Sequence, residues 1–523
     1  MIKWKGLSPE ECKAIEGFFE EKGLPLDRAV TFDDVTVPDD YSTTRSRSDI
    51  FTDLNAFTTD LFPNLKLNVP FIAANMESVT GYEMMVAMES LGGLAILPQF
   101  LPRDLKREIL DKVRRAHSAR IDNPLTIRTK RTLKEAKELM YRHKIFSLVV
   151  VDEDNRPIGI LGTRDWLYED DENQEVGSLM NRKVITAPDD IDFEKARALL
   201  KKERIEKLPL VDARKRLTGL ITAHGLFYER RFPRALRDKN GQFILVGSIG
   251  VGKFFTSSYL EDVTSQIEAG IVGLLIDTAR AGSDNAFDAV RSVNDETFLK
   301  SLQRKIPRLR KEFPKLVIIV GNFSSPHIAK MLFDIGVNVV KVGIGPGNAC
   351  TTRQVGIGIP QLTAVAASSV IAKMNGGTVI ADGGVKNPGD AAKAIVAGAS
   401  AVMIGRLIAG AEESAAEPYT IETEIGGERV EITVKDYIGS ASYEAQKARL
   451  SRGDLDRMRR PEGRKVQVPV FGPLSYRIED LLFGLSSHMS FVNAKDLKEL
   501  REKGYFMPQT RAGHVEGSKE KRK

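Results

Sequence analysis

Cysteine is almost absent from this 523-residue chain. Cys12 and Cys350 could form one bridge at most, which excludes a disulfide scaffold. No cysteines are spaced for a structural metal. No run approaches the roughly 18 apolar residues that would suggest a membrane span. The N-terminal stretch MIKWKGLSPEECKAIEGFFEEKG starts basic but has no apolar core, so it does not read as a secretory signal. A cytoplasmic protein is the expectation. Charge of one sign is scarce as well. Lys and Arg number 77 against 71 Asp and Glu, a net +6 that suits a phosphorylated ligand but is modest for the length. There is no basic recognition helix, so nucleic acid is not an expected partner. What is present, 42% hydrophobic and 28% charged residues, is an ordinary soluble composition and excludes full-length disorder.

The length allows two to four domains at roughly 100–200 residues each. Residues 10–24 predict a short amphipathic helix, TFDDVTVPDD (31–40) a strand running into a turn, and 41–50 a loop. VPFIAANMESV (69–79) reads as a buried strand, MVAMESLGG (85–93) as a helix closed by glycine, and LAILPQF (94–100) as another strand. After Asn240 the alternation resumes, with strands expected at 243–250, 272–280, 316–323, 339–345, 377–384 and 400–407. Most are continuous runs of Val, Ile and Leu, the mark of a parallel sheet covered on both faces. Two strands before an interruption and six after it give the eight of a (β/α)8 barrel, whose site forms at the C-terminal strand ends. An open doubly wound sheet is the alternative, but the chain lacks an early GxGxxG opening.

The interruption, 124–229, is an imperfect repeat. One copy runs from Pro124 to Asp165 and the other from Lys183 to Gly225, each in the order strand, helix, strand, turn, strand. Pairing the copies would bury more apolar surface than either buries alone. The expected division is therefore a barrel from 1–119 and 233–505, a separate module at 120–232, and a solvated basic tail at 506–523.

The chemistry-bearing stretch is KVGIGPGNACTTRQVGIGIPQL (341–362). Gly343, Gly345, Pro346 and Gly347 follow a buried strand, and glycines let a backbone approach a ligand closely. Such a loop turns N–H groups onto a phosphate or carbonyls onto a cation. Cys350, at this strand end beside Arg353, is a candidate nucleophile, whereas Cys12 reads as a small hydrophobe in its helix. Asp382, ahead of Gly383 and Gly384, suits a ribose diol beside a phosphate. Gly405 and Arg406 follow the next strand, ahead of Glu412 and Glu413. Together these features point to a nucleoside monophosphate.

The segments GIGPGNACTTRQVGIGIPQLTAV (343–365) and ADGGVKNPGDAAKAIVAGASAVMIG (381–405) resemble the IMP dehydrogenase and GMP reductase family, and the likeness runs from FDDV (32–35) to about residue 500. The resemblance implies a (β/α)8 barrel, a homotetramer or homooctamer, and attack of Cys350 on purine C2 to form a covalent thioimidate. The reductase direction takes GMP to IMP and ammonia with hydride from NADPH. The dehydrogenase direction takes IMP to XMP with NAD. The resemblance assigns ammonia release to Thr352 and Glu413, with Glu412 the neighbouring alternative. It rests the phosphate near Gly347, Asn348, Gly384, Gly405 and Arg406, with the ribose on Asp382. Tyr437 and Gly439 belong to the purine and phosphate grips, while Asn75, Asp277 and Asn322 line the purine and nicotinamide side. Carbonyls of Gly345, Gly347 and Cys350 resemble a potassium loop. The repeat resembles paired CBS modules, whose first copy would hold a regulatory purine nucleotide through Thr163 and Asp165. The second copy has His224 at the equivalent position and a weaker expected grip.

Departures from the family pattern set the direction. A dehydrogenase uses an Arg-Tyr pair to activate water; here DRMR (456–459) keeps Arg457 but has Met458, which lacks a hydroxyl. The following RPEGRKVQVPVFGP resembles a reductase ending. GMP reduction is the expectation, IMP oxidation the alternative, and a non-catalytic nucleotide-sensing scaffold the second alternative. Asn348 stands where serine is usual, and YIGSAS (437–442) alters the purine grip. DTARAGS (277–283) puts Arg280 near the cofactor cleft, where it would suit the 2′-phosphate of NADPH.

Overall fold

The continuous Val/Ile/Leu runs form one parallel sheet of eight strands. These are β1 (Phe71–Ala73), β2 (Leu94–Ala95), β3 (Leu245–Ile249), β4 (Ile271–Asp277), β5 (Val317–Phe323), β6 (Val339–Val342), β7 (Thr378–Asp382) and β8 (Ala401–Ile404). Each pairs in parallel with the next, and β8 returns to β1 with Met403 opposite Ile72. A bridge between Ile96 and Val246 joins the β2 edge to β3, so the ring closes. This is the barrel, not the open sheet. In this computed structural model every residue is described except 1, 64, 123, 144, 239, 252–256, 307–315, 452–457, 459 and 518–523.

The barrel is filled by Ile72, Leu94, Val246, Leu275, Ile319, Val339, Ile380 and Met403. The antiparallel hairpin Thr59–Phe62 with Leu65–Leu67 adds Leu61, Leu65 and Leu67 to the same cluster. Burying a side chain of this size stabilises by about 1.5–3 kcal/mol relative to exposure, so the strand ends project from a tightly held frame. The helix Gln361–Met374 is buried from Gln361 through Ala372. At its start Gln361 Nε2 donates to the carbonyls of Val342 and Asp382 at 2.9 and 3.2 Å. One amide thus ties together the ends of β6 and β7, where the candidate chemistry lies.

Some local expectations shift. The segment 31–40 opens on a capped 3-10 turn, Phe32–Asp34. The Thr31 hydroxyl accepts from Asp33 N–H, and only Val35–Thr36 is extended. That short strand pairs with Met507–Pro508, and Gln509 Nε2 donates to Asp33 and Val35 carbonyls, so 507–509 is anchored. Arg47–Thr52 is helical. An antiparallel sheet, absent from the sequence reading, joins β9 (Pro418–Ile425), β10 (Glu428–Ile438) and β11 (Lys465–Pro469). Among the described residues no helix is long and apolar enough to cross a membrane.

The chain divides into two units: 1–114 with 234–236 and 244–523, and 115–233 with 237–243. The second unit shows its duplication in the backbone. Ser147–Val151 and Pro157–Gly162 recur 60 residues later as Lys207–Val211 and Leu217–Thr222, each pair antiparallel with an irregularity before its last residue pair. Asn155 and Lys215 take the same left-handed turn position, with φ of 61° and 64°. The copies are not separate modules, however. Arg120–Asp122, which precedes the first copy, completes the sheet of the second by pairing with Leu217–Thr222.

The residues expected to hold a nucleotide there make local hydrogen bonds. Asp165 Oδ2 is engaged within its own turn by Gly162 N–H at 2.6 Å, and the Thr163 hydroxyl donates to the Phe146 carbonyl at 3.1 Å. In the second copy, His224 lies 4.7 Å from the Tyr228 ring, centre to centre, in an aromatic group with His117. The reading of this unit as an inserted tandem CBS module is corrected accordingly.

Candidate active site

Strand β6 delivers the cysteine loop. Gly343 N–H donates to Phe323 O at 2.7 Å, and at φ 153° a Cβ there would collide with the Asp382 carbonyl. Only glycine lets the loop turn this close to β7. The loop then reaches Cys350, which is exposed. A non-local ladder holds it: Thr351 N–H donates to Glu462 O, and Arg464 N–H donates to Ala349 O, both at 3.0 Å. Gly439 N–H in turn donates to Arg464 O at 3.1 Å. The Arg464 guanidinium also clasps Asn348, at its carbonyl (2.6 Å) and at its side-chain oxygen.

This ladder creates a chain of exchangeable protons. Cys350 Sγ lies 3.3 Å from Thr352 Oγ1, and Thr352 Oγ1 donates to Glu462 Oε2 at 3.0 Å. The partner of Thr352 is therefore Glu462, not Glu413. Glu413 Oε2 instead accepts from Leu474 N–H at 2.8 Å, at the start of the helix Leu474–Phe491. The neighbouring alternative, Glu412, has its carbonyl bound by Lys435 Nζ at 2.9 Å. Glu462 was missed, although it sits in the PEGRKVQVP stretch that already looked like a reductase ending. The signal was the carboxylate directly before that stretch's glycine.

The strand ends bring together most of the remaining residues. Asp277 Oδ2 accepts from Asn75 at 2.9 Å and from Gln99 at 2.8 Å. Asn322 Nδ2 donates to Asp382 Oδ2 at 2.7 Å and to Gly343 O at 2.9 Å. Between the two carboxylates stands Lys341, which the sequence reading passed over. Its Nζ is 2.8 Å from Asp382 Oδ2 and 3.3 Å from Asp277 Oδ1. Burial pulls the Lys341 pKa down, but Asp382 and Asp277 outweigh it and the net shift is upward. Asp382 Oδ1 receives no hydrogen bond among the described residues and can accept from a ribose hydroxyl.

The phosphate side is equally compact. A Cβ on Gly384 would stand 3.2 Å from Pro346 of the cysteine loop. A Cβ on Gly405, next to Arg406, would stand 2.6 Å from the Tyr437 hydroxyl, and one on Gly439 2.6 Å from the Ala349 carbonyl. Burial pushes the Tyr437 phenol pKa up, with Asp382 adding to the shift and Arg406 opposing it. Gly347, Gly384, Gly405, Tyr437 and Gly439 thus close around one region.

The groups expected for cation and cofactor fit in their chemistry. The ladder around Cys350 uses the Ala349 carbonyl and the Thr351 N–H, so the Cys350 carbonyl stays outside it. The Gly347 carbonyl accepts only a long 3.3 Å bond from Cys350 N–H, and Gly345 takes a φ of 71°. These oxygens remain suited to a monovalent cation. Arg280 is exposed three residues beyond the end of β4, and its guanidinium makes no ion pair among the described residues. Of the expected DRMR flap, Asp456, Arg457 and Arg459 lie outside the described residues.

A closed parallel barrel whose loops bring a thiol, a hydroxyl and a carboxylate into series defines an enzyme. The IMP dehydrogenase / GMP reductase domain matches residues 29–520. Similar proteins include the inosine-5'-monophosphate dehydrogenase of Aquifex aeolicus (strain VF5), 34% identical over 94% of this chain and 95% of that one. The inosine-5'-monophosphate dehydrogenase of Streptococcus pyogenes is 35% identical over the same shares. Among solved structures, a cysteine-to-alanine variant of GMP reductase from Trypanosoma brucei with guanosine 5'-monophosphate matches at a TM-score of 0.79 and 29% identity. That match covers 96% of this chain and 100% of that one. GMP reductase from the same organism with guanosine 5'-triphosphate matches at 0.70 and 28%, covering 94% and 99%. The chain belongs to the IMP dehydrogenase / GMP reductase family and is an oxidoreductase of that family. The family domain runs unbroken across 115–233, and the GMP reductase matches cover 96% and 94% of this chain. The idea of a CBS-bearing reductase is therefore not retained.

Proposed function

We propose that the protein reduces GMP to IMP and ammonia with NADPH, and the observation that carries this is the Cys350–Thr352–Glu462 series. Glu462, as a carboxylate, takes the thiol proton through the Thr352 hydroxyl. The Cys350 thiolate adds to C2 of GMP. The C2–N bond then breaks as the same route returns a proton to the departing amine, and ammonia leaves a thioimidate behind. A bound reduced nicotinamide supplies hydride to C2. The S–C2 bond breaks with its electron pair going to sulfur, which frees IMP. The balance is GMP, NADPH and two protons giving IMP, NADP+ and ammonium. Asp382 orients the ribose, and the amides near Gly347, Asn348, Gly384, Gly405 and Arg406 carry the phosphate. A monovalent cation on the Gly345, Gly347 and Cys350 carbonyls would stiffen the loop.

The GMP complex of the matching reductase supports this direction, and Met458 agrees with it. The names of the sequence relatives favour the second reading, oxidation of IMP with NAD. Parallel assays of purified protein separate the two. GMP with NADPH should consume NADPH and release one ammonia per IMP, whereas faster XMP formation from IMP and NAD would overturn the proposal. Arg280 supports the choice of NADPH over NADH. Losing one charge-assisted hydrogen bond costs ~1.5 kcal/mol, about tenfold. Arg280→Ala should therefore raise KM for NADPH about tenfold and leave KM for NADH unchanged. Equal effects on both would remove Arg280 from cofactor selection.

A further inference from the structure

We propose that Lys341 is a positioning residue shared by both ligands: one buried ammonium fixes Asp382 on the ribose side and Asp277 on the nicotinamide side, and sets the charge of the floor between them. The naming of the two sides rests on the reductase reading above.

The placement is specific. Lys341 lies on β6, flanked in the sheet by β5 and β7, with its side chain 3% exposed. Its Nζ meets Asp382 Oδ2, Asp277 Oδ1 and Asn322 Oδ1. The second oxygen of Asp277 is occupied by Asn75 and Gln99, both neutral. Asn322 is neutral too. Among the described residues, the other titratable groups near the cluster include Tyr437, which lies within electrostatic reach of Asp382, and, around Tyr437, Arg406 and Cys350. Two carboxylates and one ammonium therefore leave a floor of one negative charge. That charge faces a cleft in which the nicotinamide becomes positive as hydride departs.

Lys341 neutralises one carboxylate without choosing between them. A ribose hydroxyl donating to the open Asp382 Oδ1 draws on the same carboxylate that anchors the ammonium, so nucleotide and cofactor sides respond to each other through Nζ. Replacing the lysine by an apolar chain of similar length leaves two part-buried carboxylates, both within ion-pair distance of the same vacated point, with no cation between them. Like charges so placed cannot both stay ionised, and one pKa rises. A carboxyl whose folded pKa lies above its unfolded value contributes stability at low pH. That stability is lost as pH rises through the folded value.

The test compares the wild type, Lys341→Met and the double variant Lys341→Met/Asp277→Asn, first by thermal midpoint against pH. Between about pH 6 and about 8.5, a window above the ordinary carboxylate range, the wild type should be flat and Lys341→Met should fall progressively below it. Calorimetric titration with GMP should show Lys341→Met at least about tenfold weaker than wild type at the upper pH and recovering at the lower. The double variant, which removes one of the opposed charges, should regain a flat midpoint and flat GMP affinity. A flat profile in Lys341→Met, or no rescue in the double variant, would overturn the proposal. If Lys341→Met does not fold and the double variant does, the charge role stands. If neither folds, the lysine acts as packing and the proposal fails. The midpoint comparison needs no nucleotide. A wild type that neither binds nor reduces GMP would thus refute the reductase reading without touching the result for Lys341.

Discussion

Glu462→Gln should slow GMP reduction by about 10²–10⁴-fold, the usual worth of a positioned acid–base group. The amide preserves the size of the side chain and the backbone ladder at Thr351 and Arg464. It cannot take a proton from the Thr352 hydroxyl, however, and its own N–H would compete to donate to that oxygen. The loss should fall on kcat, with KM for GMP little changed, because Glu462 reaches the substrate only through Thr352 and Cys350. Glu413→Gln is the contrasting variant. Glu413 accepts from Leu474 N–H at the opening of the helix Leu474–Phe491. Neutralising it removes a charge–dipole contribution of about 0.3–1 kcal/mol, read as a small drop in thermal midpoint, with far less effect on rate. A large kcat loss in Glu413→Gln with normal turnover in Glu462→Gln would return the proton to Glu413.

The contrast between these glutamates shows where sequence reasoning stopped. Cys350 and Thr352 are two residues apart in one loop, so their adjacency was legible. Their carboxylate partner is supplied by a ladder between 349–351 and 462–464, and no local pattern states that register. Glu413 was plausible by its nearness in sequence to the Gly405 loop. Its true environment, the first turn of a distant helix, is equally a tertiary fact. Lys341 shows the opposite failure. A lysine inside VVKV disagrees with a strand buried on both faces, and that local conflict marked a functional position. It became interpretable only once β4 and β7 placed Asp277 and Asp382 at its tip.

The barrel itself was readable because its strands had to be apolar on both faces. Strand ends were less so. LAILPQF contributes only the two-residue strand Leu94–Ala95 and the Ile96 bridge to the sheet, yet Gln99 from the same stretch reaches Asp277. The duplicated unit was visible as a repeat, and the 60-residue backbone correspondence agrees with that. The local role of Asp165 was not legible: one of its oxygens closes its own turn onto the Gly162 amide.

Cys350→Ala should reduce turnover by at least about 10⁴-fold, since the nucleophile forms the bond that lets the amine leave. GMP should still bind with nearly wild-type affinity. The loop is held by backbone hydrogen bonds from Thr351 to Glu462 and from Arg464 to Ala349, none of which uses the thiol. The ribose carboxylate is fixed by Lys341 and Asn322, and the glycine region by Tyr437 and Pro346. Only the Sγ contact to Thr352 disappears, which leaves the Thr352 hydroxyl still donating to Glu462. Calorimetry of the variant with GMP, beside ammonia release under NADPH, therefore separates nucleophile from scaffold. Retained binding with lost ammonia release supports covalent attack by Cys350. Near-normal ammonia release in the variant would refute the thioimidate altogether. Loss of binding together with activity would show the thiol to be part of the loop's architecture, contradicting the backbone ladder as its support.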